Sequence, residues 1–114
     1  MRSEIGDRAR LQHIYDAILE IDDYIKSTSF EDFNANSMMQ FATVKQLEII
    51  GEAANHLTDH FRKLYSEIQW REIIGLRNLL IHEYFGIDTK IIWDIANKDL
   101  LKLKIQIKEV LDQI

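Results

Sequence analysis

The 114-residue chain contains no cysteine and no proline. Without cysteine it can form no disulfide, no thiol nucleophile and no cysteine-type zinc site. The lack of proline favours long uninterrupted helices over a loop-rich architecture. No stretch approaches the about 20 apolar residues that a membrane span requires, and the charged N-terminus lacks the apolar segment of a secretory signal. We therefore expect a protein without membrane association, in the cytoplasm.

The composition is that of a globular protein, with 46% apolar and 29% charged residues. Its length suits a single domain over residues 1–114. The formal net charge of −5 argues against a protein coated in basic surface for general nucleic-acid binding.

Apolar residues recur at alternating spacings of three and four, which is typical of helices buried along one side. The spacing predicts long helices over residues 7–27, 37–61, 67–84 and 89–113, and Ser29 with Asp32 predicts a short helix between the first two. The predicted fold is all-α, a compact up-and-down bundle of four main helices plus short extra helices. The stripes are Leu11, Ile14, Ile18, Ile21 and Ile25; Leu47, Ile50, Ala54, Leu57 and Phe61; and Trp93, Ala96, Leu100, Leu103, Ile107, Val110 and Ile114.

Two pairs of polar residues have the spacing of a capping box at a helix start. Ser37 with Gln40 precedes the second long helix, and Ser66 with Gln69 precedes the third. Both pairs therefore predict helix N-termini.

Glycines mark two further positions. Gly86 is expected to end the third long helix, with Asp88 or Thr89 capping the next one. Gly51 lies inside the second long helix, where glycine costs about 1 kcal/mol relative to alanine. Either a close approach of another helix requires it, or it is a tolerated weak point.

The histidines are the first candidates for chemistry. His56 and His60 are four residues apart, with Glu52 one turn earlier, and such spacing can place metal ligands on one helical face. The HExxH pattern is absent, however, and the intervening Thr58 belongs to what reads as a solvated helix end. We favour no metal site here, and we interpret His13 as a surface residue.

His82 differs because several polar residues accompany it in an apolar helix. Asn78 lies four residues before it and can orient the imidazole. Arg77 and Tyr84 are seven residues apart and share a face, whereas His82 is rotated by about 140° from Arg77 on an ideal helix. A cleft that straddles the helix, or two copies that meet at an interface, would be needed to gather these side chains.

Histidine and arginine together suit RNA cleavage in which the substrate's own 2′-hydroxyl attacks the adjacent phosphate. An imidazole can transfer a proton at neutral pH, and a guanidinium offsets charge that builds on the phosphoryl oxygens. The alternative is a buried hydrogen-bonded cluster of the arginine, tyrosine and histidine that ties helices together. Spacing alone leaves both interpretations open.

The flanking sequence adds a resemblance. Arg77, His82 and Tyr84 reproduce the R-x4-H-x-Y motif of the HepT-like branch of HEPN domains, which the chain resembles across residues 44–100. An R-x4-H pair alone would be weak, but the segments around it are also similar to those of the family: Leu47–Ala53 (LEIIGEA), Ile68–Gly75 (IQWREIIG) and Tyr84–Asp88 (YFGID).

The resemblance implies an all-helical, metal-independent ribonuclease that acts as the toxin of a toxin–antitoxin pair. It implies that Arg77 and His82 are the catalytic pair and that Asn78 is a supporting polar residue. Glu52 belongs to a matching segment without an assigned role, and we expect it in the cleft. No cofactor and no metal are implied.

The same resemblance implies partners. These are a second copy of the chain, joined through the motif helices, an RNA substrate, and an MntA-like nucleotidyltransferase antitoxin. The antitoxin is expected to inhibit the toxin by adding AMP to Tyr84. The alternative is a non-catalytic helical module that binds nucleotide or partner and is associated with a nucleotidyltransferase.

The acidic charge is unevenly distributed. Residues 1–61 carry 5 basic and 11 acidic side chains, whereas residues 62–114 carry 9 and 8. The second part includes Arg62, Lys63 and Arg71 near the motif. The overall charge therefore does not exclude a small cleft that binds one phosphate at a time, with weak and salt-sensitive affinity for RNA.

Overall fold

The computed structural model describes residues 2–78 and 88–114, and every regular element over these residues is helical. The all-α prediction is confirmed. The helices in chain order are α1 (Arg2–Ile25), α2 (Phe30–Asn34), α3 (Ser37–Asn55), α4 (Asp59–Leu64), α5 (Trp70–Gly75) with a 3-10 turn after it (Leu76–Asn78), α6 (Thr89–Asp94), a π-helical turn (Ile95–Asp99) and α7 (Leu100–Gln113).

The core is built around α1, which packs against both α3 and α7. The stripe predicted on α1 is buried along its whole length. The stripe predicted near the C-terminus is also buried over most of its length, although Trp93 is only partly buried and Ile114 remains 47% exposed. The three-and-four spacing thus identified the core residues of these helices.

The second predicted helix, over residues 37–61, is interrupted. α3 ends at Asn55 and α4 begins at Asp59. Thr58 lies in the break: its backbone N–H and its hydroxyl donate to the two carboxylate oxygens of Asp7, at 2.9 and 2.7 Å. The same hydroxyl accepts from the backbone N–H of Phe61, which makes Thr58 the N-cap of α4. The prediction of one continuous helix was wrong, because the contact that interrupts the helix is made with Asp7 of α1, a residue distant in the sequence.

Two of the predicted helix starts are confirmed by capping hydrogen bonds. The Ser29 hydroxyl accepts from the backbone N–H of Asp32 at 3.1 Å and caps α2. The Asp88 carboxylate accepts from the backbone N–H of Lys90 at 2.8 Å and caps α6.

The predicted cap of α3 is wrong by one residue. Asn36, rather than Ser37, is the N-cap, and its side chain accepts from the backbone N–H of Met39 at 3.0 Å. Gln40 does not complete a capping box, because its side-chain amide donates to the carbonyls of Phe33 and Asn34 at the end of α2. Its role is to join α2 to α3.

The third predicted helix, over residues 67–84, begins later than expected. α5 starts at Trp70, and Gln69 occupies the N-cap position without a capping hydrogen bond from its side chain. The indole N–H of Trp70 instead donates to the carbonyl of Tyr65 at 3.1 Å, which anchors the start of α5 to the end of α4. The rest of the predicted helix beyond residue 78, and the predicted stop at Gly86, lie outside the described residues.

The last predicted helix, over residues 89–113, is continuous in path but includes the π-helical turn between α6 and α7. α7 is tied to α1 by a salt bridge between Lys104 Nζ and Asp22 Oδ2, 2.7 Å apart. The hydrogen bond to Asp22 raises the pKa of Lys104 above its usual 10.5, and burial opposes this effect in part. None of the helices within the described ranges is long and apolar enough to cross a bilayer.

Candidate functional site

The candidate site begins at Gly51, where α3 approaches the 3-10 turn very closely. A Cβ atom added to Gly51 would lie 2.5 Å from the backbone nitrogen of Arg77, 3.0 Å from the carbonyl oxygen of Ile73 and 3.1 Å from the Arg77 Cβ. Contacts below 3.0 Å are essentially never seen for a real Cβ. Of the two explanations for this glycine, the structure supports close approach. The backbone of Arg77 therefore rests directly on α3.

The side chain of Arg77 pairs with the residue that follows Gly51. Arg77 Nη1 lies 3.7 Å from Glu52 Oε2, and the arginine side chain remains 35% exposed. The other carboxylate oxygen, Glu52 Oε1, lies 3.6 Å from Nδ1 of His56, one turn further along α3. The Glu52 carboxylate thus stands between a guanidinium and an imidazole. We call these three side chains the Arg77–Glu52–His56 cluster.

The cluster can bind an anion. A guanidinium presents five N–H donors in a planar fork that fits a phosphate, and the ion pair with Glu52 involves only one of its terminal nitrogens. Both contacts are longer than a hydrogen bond and are partly exposed, so each of them contributes little to the stability of the fold. Arg77 is therefore fixed at its backbone and remains accessible at its tip.

The structure brings together some of the predicted site residues. Glu52 and Arg77 are in contact as an ion pair. Asn78 is exposed and ends the 3-10 turn directly after Arg77. His82 and Tyr84 lie outside the described residues, so their place relative to Arg77 stays a prediction.

The contact of His56 with Glu52 was missed as part of this site. The sequence analysis grouped His56 with His60 and Glu52 on one helical face, but only as a possible metal site. In the structure α3 ends at Asn55, so His56 is its C-cap residue and His60 belongs to α4. Within the part of the chain that the structure describes, no three or more His, Asp or Glu side chains are grouped so that they could hold a metal ion. The four-residue spacing between Glu52 and His56, which was interpreted as a possible metal-ligand pattern, is also the signal for this side-chain contact.

Comparison with known proteins identifies the family. The model of the family described as ribonuclease HepT-like matches residues 14–110. A "putative RNase" of Caldanaerobacter subterraneus subsp. tengcongensis is 42% identical over 106 residues, which cover 93% of this chain and 95% of that protein. The "probable ribonuclease HepT" of Thermococcus cleftensis is 40% identical over 94 residues, or 82% and 86% of the two chains.

A "putative RNase" of Methanocaldococcus jannaschii is 36% identical over 103 residues, which cover 90% of this chain and 94% of that protein. No solved structure matches the chain significantly. The family match spans most of the sequence, including Arg77, Glu52 and the close contact at Gly51. The chain belongs to the ribonuclease HepT-like family.

Proposed function

We propose that the protein is a metal-independent RNA endonuclease and the toxin of a toxin–antitoxin pair, with Arg77 and His82 as its catalytic residues. The observation that carries the proposal is the setting of Arg77. Its backbone is fixed against Gly51, its guanidinium is partly exposed, and it lies within the segment matched by a ribonuclease family.

The proposed reaction uses the substrate as its own nucleophile. The 2′-hydroxyl of a ribose attacks the adjacent phosphorus and loses its proton, while the bond from phosphorus to the 5′-oxygen breaks and that oxygen gains a proton. The products carry a 2′,3′-cyclic phosphate and a 5′-hydroxyl. His82 transfers a proton, and Arg77 stabilises the negative charge that develops on the phosphoryl oxygens. Asn78 is proposed as a supporting residue that orients the imidazole.

The proposed partners complete the function. Two copies of the chain, joined through their motif helices, would line one cleft with the polar residues of both. A nucleotidyltransferase antitoxin of the MntA type would add AMP to Tyr84, because the phenolic oxygen can attack the α-phosphate of ATP and release pyrophosphate. The bulky, charged AMP group, two residues from His82 in the sequence, would then interfere with RNA binding. We place this pair in the cytoplasm.

The test of the catalytic proposal is RNA cleavage by purified wild type, Arg77→Ala and His82→Ala, all in the presence of a chelator. We expect each substitution to lower the cleavage rate by about 10²-fold or more. General acid–base catalysis, the role of His82, contributes about 10²–10⁴-fold, and removal of a group that stabilises developing negative charge, the role of Arg77, costs about 10²–10³-fold. His13→Ala is the matched control, since His13 is an exposed histidine on α1.

End-group analysis of the products distinguishes the mechanisms. A cyclic phosphate supports attack by the 2′-hydroxyl, whereas a 5′-phosphate would contradict it. Full cleavage by a folded His82→Ala protein would refute the catalytic pair. A wild-type protein that binds nucleotide but cleaves no RNA would instead favour the non-catalytic module.

The test of the modification is incubation with the antitoxin and ATP, followed by intact-mass measurement. Wild type should gain the mass of one or more AMP units and lose RNA cleavage, whereas Tyr84→Phe should gain none and remain active. Equal modification of the Tyr84→Phe protein would exclude Tyr84 as the acceptor.

A further inference from the structure

We propose that Glu52 is a positioning residue for Arg77, and that His56 in turn holds the Glu52 carboxylate. This assignment rests on the proposed function, because it concerns how Arg77 is presented to an RNA phosphate. In this proposal the Arg77–Glu52–His56 cluster orients the guanidinium that binds the phosphate.

The close contact at Gly51 fixes the separation between α3 and the 3-10 turn. The contact at Gly51 is made with the backbone nitrogen and the Cβ of Arg77, so it sets where the Arg77 side chain leaves the backbone. Glu52 is the next residue on α3, and its Oε2 lies 3.7 Å from Arg77 Nη1. Gly51 thus fixes the base of the arginine, and Glu52 attracts its tip.

Both oxygens of the Glu52 carboxylate have a neighbouring side chain. A glutamate with a single partner can turn about its side-chain bonds, but Glu52 has a different partner at each oxygen. His56 is well placed to restrain it, because the imidazole follows one turn later on the same helix and His56 terminates α3. The carboxylate therefore has a preferred direction toward Arg77.

Arg77 has more hydrogen-bond donors than its contact with Glu52 uses. Nη1 lies nearest the carboxylate, and Nη2 and Nε, which have no salt bridge to any of the residues the structure describes, can bind phosphoryl oxygens. An oriented guanidinium loses less side-chain freedom when the transition state forms, so the benefit appears in kcat more than in KM. The competing possibility is that Glu52 occupies Arg77 and must be displaced by RNA. The two alternatives predict opposite changes when the carboxylate is neutralised.

The experiment is Glu52→Gln, which keeps the shape of the side chain and removes its charge. We expect kcat for RNA cleavage to fall on the order of ten-fold, with a smaller change in KM, because misplacing a catalytic group costs rate. Glu52→Asp keeps the charge and should recover part of the loss. Glu48→Gln is the matched control: Glu48 lies one turn earlier on α3 and pairs with Lys45 at 3.6 Å, so its kcat should equal that of wild type.

A double-mutant cycle tests the part played by His56. His56→Ala should lower kcat by a smaller factor than Glu52→Gln. The two substitutions together should cost no more than Glu52→Gln alone, since His56 acts only through that carboxylate. Independent, multiplicative losses would show that His56 does not act through Glu52.

The outcomes separate this proposal from the function on which it rests. Glu52→Gln with unchanged or faster cleavage, while Arg77→Ala is inactive, overturns the positioning role and leaves the catalytic arginine intact. Arg77→Ala with full activity overturns the catalytic proposal itself. Thermal unfolding of each variant checks that losses of kcat occur in folded protein.

Discussion

Ile50 and Gly51 are consecutive residues of α3, yet they serve two differently built contacts. Ile50 is completely buried in the apolar core with Leu47 and Ala54. Gly51, about 100° further around the helix, meets the backbone of the 3-10 turn instead. Beside it, Glu52 and Arg77 remain partly exposed. One contact is made of interlocked side chains and the other of close-packed backbone with a polar edge.

The difference indicates that the two faces of α3 affect different properties of the protein. Burial of apolar area contributes roughly 25 cal/mol per Å², so the core contact contributes mainly to the free energy of folding. An exposed ion pair contributes only about 0–1 kcal/mol, so the polar edge at Arg77 has little effect on that quantity. Its effect is on the position of a cationic side chain. Substitutions on the two faces of α3 should therefore change different measurements.

The largest expected effect on stability comes from breaking the core face. Ile50→Ala should lower the free energy of unfolding by about 2–5 kcal/mol, because the lost methyl and methylene groups leave a cavity among buried neighbours. Urea denaturation measures it. Ile50→Val is the milder variant, with an expected loss of about 0.5–1.5 kcal/mol. A loss below that range for Ile50→Ala would mean that the core collapses into the space.

The next effect comes from forcing the backbone contact apart. Gly51→Ala should lower the free energy of unfolding by about 1–3 kcal/mol, since the new methyl group overlaps backbone that must shift. It should also lower RNA cleavage, because Arg77 is the residue displaced. The control is Gly6→Ala, in a helix with nothing within 4 Å of the added Cβ. There, alanine should stabilise by up to about 1 kcal/mol.

Gly51→Ala and Ile50→Val can be compared directly, because each changes one face of α3. If the two variants are equally stable and Gly51→Ala loses no more RNA cleavage activity than Ile50→Val, the two faces do not differ in function as proposed. Both variants are assayed well below their unfolding temperatures, so that the folded fraction is the same.

The smallest effect concerns a partly exposed polar contact between α7 and α1, made by Lys104 with Asp22. The pKa of Lys104 is raised by this hydrogen bond, so its contribution is fully present below pH 10.5 and is lost as the pH rises through the raised value in the folded protein. Lys104→Met should lower the free energy of unfolding by less than about 1 kcal/mol at neutral pH. The difference in this free energy between the variant and wild type should shrink at alkaline pH.

Lys102→Met is the control for the lysine substitution, because Lys102 forms no ion pair with any residue that the structure describes. Stability measured from pH 7 to 11 checks the trend. A difference between wild type and Lys104→Met that grows with rising pH would contradict the assigned direction of the shift.

Much of the fold could be predicted because its determinants are local. The spacing of Leu11, Ile14 and Ile18 identifies a buried face from the sequence alone, and the structure buries all three. The caps at Ser29 and Asp88 depend on residues two or three positions away. Short-range patterns of this kind can be recognised without knowing how the chain folds back on itself.

The largest error in the helix boundaries arises where the deciding partner is distant in the sequence. The break before α4 depends on Asp7, which is 51 residues from Thr58. For the site, the motif spacing selected Arg77 and a matching segment selected Glu52, but their contact depends on how α3 meets the 3-10 turn. No local pattern contains that contact. Gly51, a glycine inside a predicted helix, was the one feature of the sequence that suggested a close approach at this position.

The contact at Gly51 also bears on how the site can change. Because it joins backbone to backbone, its dimensions are independent of the side chains at positions 52, 56 and 78. Exchanging those residues would alter the charge and hydrogen bonds offered to an RNA strand while the arginine keeps its point of attachment. A substitution at Gly51 would therefore move the base of the Arg77 side chain, whereas substitutions at its neighbours would change only the groups that surround it.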